Sequence, residues 1–196
     1  MSSSSSAAAA APPASPGWVE SFGGPLIAVP VSALDAWHGC TDSGVTAGDA
    51  TAADDYDRAC AVDDLAAAIA VGENGALALV LGDEPATSCF LTEHRTFLRW
   101  LAADSAAGLM SAAEAVLSDP ATRWEECGSW VTDGPAVLMD SAEAGAGLDV
   151  EYPGGGLPAQ APVPLPAGRW RIRAVHTKAD EDNWVGLVQL LPVDPS

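Results

Sequence analysis

The chain has 196 residues, of which 27 are acidic and only eight are lysine or arginine, so its formal net charge is −19. So few cations cannot neutralise a run of phosphates, which argues against nucleic acids and anionic membrane surfaces as partners. A hydrophobic content of 48 % is enough for a packed core, and the negative charge suits a basic protein partner.

The first segment, residues 1–16, consists of serine, alanine and proline after Met1 and predicts a disordered tail. It has no positive charge and no leucine-rich core, so it does not resemble a signal peptide. The sequence contains no run of about 18 apolar residues and so predicts no membrane span. Its four cysteines form no CxxC pair, which favours reduced thiols. We therefore expect a cytoplasmic protein with a single domain over residues 17–196.

The first half of that domain reads mainly as short strands. A strand is predicted at 26–29, then a short helix capped by Ser32 and a loop over 40–53. Two apolar runs at 68–71 and 76–81 flank Asn74-Gly75, a strong hairpin signal. Two more strands are expected on either side of residues 93–95, so this half predicts an antiparallel meander.

The second half begins with the clearest helix, over residues 105–117, which is rich in alanine and ends before Pro120. Strands are predicted at 124–131, 136–139, 169–177 and 184–192, with residues 142–168 as a long connection rich in glycine and proline. The whole pattern predicts an α+β fold, mostly antiparallel β with one main helix. A weak internal echo at an offset of roughly 105–110 residues leaves open two similar β halves, 17–104 and 124–194, linked by the helix.

Motifs for catalysis or for cofactor and metal binding are missing from the sequence. There is no GxSxG and no GxxxxGK[ST], and the pair His38 and Cys40 has no second ligand pair at zinc spacing. The acidic stretch ADDYDRACAVDD, residues 53–64, lacks the order of a calcium loop. The sequence therefore predicts no enzyme, no cofactor and no metal site.

At the centre of this acidic stretch stands Arg58. We expect Arg58 to form a structural ion pair with Asp57 or with a carboxylate from another strand, because arginine suits bidentate carboxylate pairing. Residues 57–60 read as the entry of a strand.

Several segments together resemble the immunity protein 21 family of bacterial polymorphic-toxin systems. The resemblance extends over residues 18–192, and its departures are the N-terminal tail and the stretches 40–53 and 142–168. The matching segments, in order, are WVES at 18–21, GGPLI at 23–27, DYDRAC at 55–60 with VD at 62–63, VG at 71–72, AL at 76–77, LVLGDEP at 79–85, RW at 99–100, AD at 103–104, DSA at 140–142 with Gly145, and LPAGRWRI at 165–172.

The resemblance implies a non-catalytic cytoplasmic inhibitor with a largely β fold that binds a cognate toxin. The negative net charge of the chain suits a basic, nuclease-like toxin, whose active face an acidic surface would occlude. An alternative from another class is a regulatory β protein with an enclosed, tryptophan-lined pocket for a small molecule. The candidate partner-binding residues are exposed carboxylates and aromatics near turns: Trp18, Glu20, Asp54, Asp55, Tyr56, Asp83 and Glu84.

Overall fold

A computed structural model describes residues 16–40 and 53–193 of the chain. The predicted tail, apart from Pro16, and most of the predicted loop 40–53 lie outside the described residues. Within those residues the chain forms ten strands, two α-helices and two short 3₁₀ helices, Val31–Ala36 and Gly145–Gly147. The helices are α1 Asp55–Cys60 and α2 Ala106–Ser118; the strands are β1 Leu26–Pro30, β2 Ala67–Val71, β3 Ala76–Leu81, β4 Ser88–Leu91, β5 Thr96–Ala102, β6 Glu125–Thr132, β7 Ala136–Asp140, β8 Gln160–Val163, β9 Gly168–Lys178 and β10 Trp184–Pro192.

The strands form two antiparallel sheets of five. Sheet 1 has the order β2-β3-β1-β7-β8, and sheet 2 has the order β4-β5-β10-β9-β6. The predicted α+β class, the antiparallel character and the main helix are confirmed, the helix to within one residue at each end. Each sheet combines strands from before and after α2, so the predicted halves 17–104 and 124–194 do not correspond to the two sheets.

The two sheets pack face to face, and helices cover part of each outer face. Alternate residues of a strand point to opposite faces, so β1 sends Leu26 and Ala28 into the central core, while Ile27 and Val29 point outward. The outward residues of sheet 1 pack with Trp37 and α1. Helix α2 covers sheet 2 through Leu109, Ala112, Ala113 and Val116, which pack on Leu98 and Leu187. The sequence thus builds one central core and two smaller outer ones.

Two elements differ from the sequence prediction. Residues 57–60 belong to helix α1 and do not enter a strand, because Asp54 and Asp57 form a capping box. The amide of Asp57 donates to Asp54 Oδ1 at 2.8 Å, and the amide of Asp54 donates to Asp57 Oδ2 at 3.3 Å. The predicted connection 142–168 contains strand β8, which includes Pro162. Proline is tolerated there because β8 is an edge strand of sheet 1.

Candidate interface at one end of sheet 1

Four segments meet at one end of sheet 1 because of the strand register. Leu26 begins β1 and pairs with Leu81 at the end of β3 and with Asp140 at the end of β7. The amide of Gly82 donates to the carbonyl of Leu65, which brings the start of β2 to the same end. We call this end, formed by residues 20–25, 54–65, 82–87 and 140–143, the acidic end.

The acidic end contains many carboxylates and one basic side chain of its own, Arg58. Five of its carboxylates are exposed, four are partly exposed and one, Asp140, is buried. The exposed ones are Glu20, Asp63, Asp64, Asp83 and Glu84; the partly exposed ones are Asp54, Asp55, Asp57 and Glu143.

The arginine of the acidic end pairs with a different carboxylate from the predicted one. The guanidinium of Arg58 donates to Asp55, three residues earlier, and also to the carbonyl of Ala70 at 2.8 Å. Asp55 accepts a second bond from the amide of His38 at 2.7 Å, and its side chain is only 13 % exposed. Asp57 is instead the capping-box partner of Asp54. Asp55 is therefore a structural carboxylate that ties α1 to the neighbouring backbone.

Tyr56 fixes α1 against the segment that precedes β1. The amide of Tyr56 donates to the carbonyl of Gly39 at 3.3 Å, and its ring lies so close to Gly24 that a Cβ there would approach it to 2.5 Å. A hydrogen bond with Cys60 and burial raise the pKa of Tyr56 to about 12. Burial also raises the pKa of the Cys60 thiol. Both groups therefore stay protonated at neutral pH, and the thiol carries little of its nucleophilic form.

Asp140 holds two loops of the acidic end together. Its side chain is 1 % exposed and accepts from the amide of Phe22 at 2.8 Å and from the amide of Ala142 at 2.9 Å. The next residue, Ser141, donates its amide to the carbonyl of Pro25, and its own carbonyl accepts from the indole of Trp37. Asp140 has no local sequence signal of this role, because its partner Phe22 lies 118 positions away.

Asp83 and Glu84 occupy the connection from sheet 1 to sheet 2, and Arg99 of β5 fixes this connection. Arg99 is 1 % exposed and donates to the carbonyls of Gly82 and Glu84. Its Nη1 lies 3.2 Å from Nε2 of His176, whose Nδ1 lies 3.1 Å from Asp83. Burial and the neighbouring Arg99 lower the pKa of His176. A neutral imidazole that accepts at Nε2 and donates from Nδ1 satisfies both contacts.

The structure brings six of the seven candidate partner-binding residues to the acidic end. The exception is Trp18, whose ring packs edge-on against Trp100 at 5.5 Å, in the cluster beneath α2. Glu20, Asp83 and Glu84 are exposed there, whereas Asp54 and Tyr56 have their main contacts within α1 and its neighbours. Sequence reasoning did not select Asp63 and Asp64, although both are exposed at the same end.

Two open clefts, of about 390 and 530 Å³, lie elsewhere on the described part of the chain, and tryptophan lines neither of them. The alternative hypothesis, a protein that binds a small molecule, predicts an enclosed pocket lined by tryptophan, and neither cleft has this form. Residues 16–40 and 53–193 contain no group of three or more His, Cys, Asp or Glu side chains that could hold a metal ion. No helix in these ranges has the length and apolar composition needed to cross a bilayer.

Comparison with known proteins gives one family. The model of the family described as immunity protein 21 matches residues 17–183, which is most of the chain. No curated protein and no solved structure matches the chain.

Proposed function

Because this chain belongs to the immunity protein 21 family, we propose that it neutralises a cognate protein toxin by covering the toxin's working surface with the acidic end. The observation that carries the proposal is the convergence of ten carboxylates from four separate segments. Only Arg58 balances them within those segments, and Arg58 is already bound to Asp55. A partner that complements this surface is basic.

The exposed carboxylates carry the recognition in this proposal, and the others hold them in place. Glu20, Asp63, Asp64, Asp83 and Glu84 project from loops whose backbones are fixed by the Asp54 cap, the Asp55 and Arg58 pair, Asp140 and Arg99. A concentrated field of one sign steers a partner of the opposite sign and raises the association rate. We therefore expect fast association with a basic, nuclease-like toxin in the cytoplasm, and a rate that falls as salt rises.

The proposed role is inhibition by binding, without catalysis. In this mechanism the carboxylates act as fixed charges. They occlude the basic groups with which such a toxin would engage its own substrate.

The test is to co-express the chain with the protein encoded beside its gene and to measure toxicity of that protein, survival, complex formation and association rate. Asp63→Lys with Asp64→Lys reverses two exposed charges at the acidic end. Glu73→Lys with Asp133→Lys makes the same change of net charge at the opposite end of sheet 1, where the β2–β3 and β6–β7 turns lie. The acidic-end variant should associate about tenfold more slowly, and the control should change by less than about threefold.

Two results would contradict the proposal. The first is a neighbouring protein that is not toxic, or that forms no complex at physiological salt. The second is an equal effect of the two double variants, because that would assign the attraction to net charge and not to the acidic end.

A further inference from the structure

The geometry points to Phe22 as a preformed apolar anchor at the acidic end, made to enter an apolar pocket that is bordered by basic side chains on a protein partner. This inference rests on the proposed function and adds to it the residue that holds the complex together. It separates two tasks on one surface, since carboxylates attract the partner and an aromatic ring retains it.

The first observation is the exposure of Phe22. Its side chain is 68 % exposed, the highest value among the large hydrophobic residues exposed in the described ranges. The same short segment places Val19 and Leu26, on either side, in the central core. The chain thus turns one large apolar residue outward between two buried ones, on the surface where carboxylates are concentrated.

The second observation is that the backbone at Phe22 is held by several independent contacts. Its amide donates to the buried carboxylate of Asp140. The hydroxyl of Ser21 donates to the carbonyl of Gly24 at 2.6 Å and accepts from the amide of Gly23 at 3.1 Å. Gly23 has φ +122°, which favours glycine over other residues. An anchor that is already ordered loses little conformational entropy on binding.

The third observation concerns the surroundings of the anchor, which define its partner. Glu20 lies two residues away and is exposed, and Gly24, two residues later, packs against Tyr56 of α1 next to Asp55 and Asp57. A pocket that accepts the ring must be apolar at its base, while its rim meets carboxylates. Lysine or arginine at that rim gives charge complementarity, and long basic side chains also cover part of the ring with their methylene groups. Aromatic residues at the centre of an interface often dominate its binding energy.

The experiment measures the association and dissociation rates of the full chain with the protein encoded beside its gene, the proposed toxin, at several salt concentrations. Phe22→Ala should raise the dissociation rate by about 30-fold and leave the association rate and its salt dependence within about twofold. Phe22→Leu keeps an apolar side chain and should lose less. Val31→Ala is the matched control, because Val31 is an exposed apolar residue just beyond the other end of β1.

The outcomes distinguish this inference from the proposed function. If the wild-type chain binds and Phe22→Ala dissociates at the wild-type rate, the anchor is refuted and the acidic end still stands. If Phe22→Ala lowers the melting temperature by several degrees, its ring packs within the fold and the anchor is likewise refuted. If the wild-type chain does not bind the toxin at all, both proposals fail. The inference is supported only by a fast-dissociating Phe22→Ala that melts at the wild-type temperature.

Discussion

Replacing Arg99 by methionine tests how the two sheets are joined at the acidic end. Arg99 lies in sheet 2, and its guanidinium donates to two main-chain carbonyls of the connection that leaves sheet 1. Methionine fills much of the same volume and removes both donors. The carbonyls of Gly82 and Glu84 then lose the donors that Arg99, itself only 1 % exposed, provides.

The size of the effect depends on two opposing terms. Leaving the buried carbonyl of Gly82 without a donor costs about 1–3 kcal/mol, and losing the hydrogen bond to the carbonyl of the exposed Glu84 costs about 0.5–1.5 kcal/mol. Removing a buried cation relieves part of this. Burial lowers the pKa of Arg99 to about 10, so the charged guanidinium is itself disfavoured at this position. We expect a net loss of about 1–3 kcal/mol, or about 3–10 °C in melting temperature for a chain of this length.

The assay is urea and thermal unfolding of the wild-type chain, Arg99→Met and Arg99→Lys. Lysine keeps the buried charge but cannot reproduce the planar fork that reaches both carbonyls, so Arg99→Lys should lose at least as much stability as Arg99→Met. A methionine variant as stable as the wild type would refute the reasoning, because the unpaired carbonyls would then carry no cost. A lysine variant of wild-type stability would show that charge, and not fork geometry, holds the connection.

Three further predictions concern single positions. Because burial and a neighbouring arginine lower the pKa of His176, the unfolded chain takes up the proton first as pH falls below the usual histidine value of 6.5. The melting temperature should therefore drop between pH 7.5 and 5, and it should drop less steeply in His176→Gln. Gly145→Ala places a Cβ 2.1 Å from a main-chain oxygen of the 3₁₀ helix Val31–Ala36 and should lose about 1–3 kcal/mol on chemical unfolding, whereas Gly134→Ala meets no atom within 4 Å and should stay within about 0.5 kcal/mol of the wild type. Asp54→Ala removes the cap of α1 and should cost about 1 kcal/mol in the same measurement; an unchanged midpoint would show that tertiary packing alone holds this helix.

The elements that sequence reasoning found are those whose signals are local. Helix α2 has an alanine-rich sequence, a serine cap at Ser105 and a buried stripe at helical spacing. The β2–β3 hairpin was predicted from its Asn74-Gly75 turn, and strand β9 was predicted over residues 169–177. Helix α1 has only six residues and little apolar periodicity. Its one local signal was the spacing of Asp54 and Asp57, which suits a capping box.

The features that sequence reasoning missed depend on contacts between distant residues. Asp140 accepts a hydrogen bond from an amide that lies 118 positions away in the chain. Arg99 contacts His176, which lies 77 positions away. No periodicity or short motif contains such information. For the same reason Phe22 reads as one more apolar residue in the sequence, and only the fold shows that it faces outward. The carboxylates of the acidic end were individually visible, but their convergence required the register of β1 with β3 and β7.

The order of strands has a consequence for how the protein is made. The first described strand, β1, is the central strand of sheet 1, and the last, β10, is the central strand of sheet 2. Neither sheet can form from one continuous stretch of chain. Strand β1 pairs with β7, which begins about 110 residues later, and β5 pairs with β10. Folds dominated by such distant pairings fold slowly. An N-terminal fragment that ends before β10 leaves sheet 2 divided, so the chain should acquire the proposed toxin-binding activity only once β10 has emerged from the ribosome.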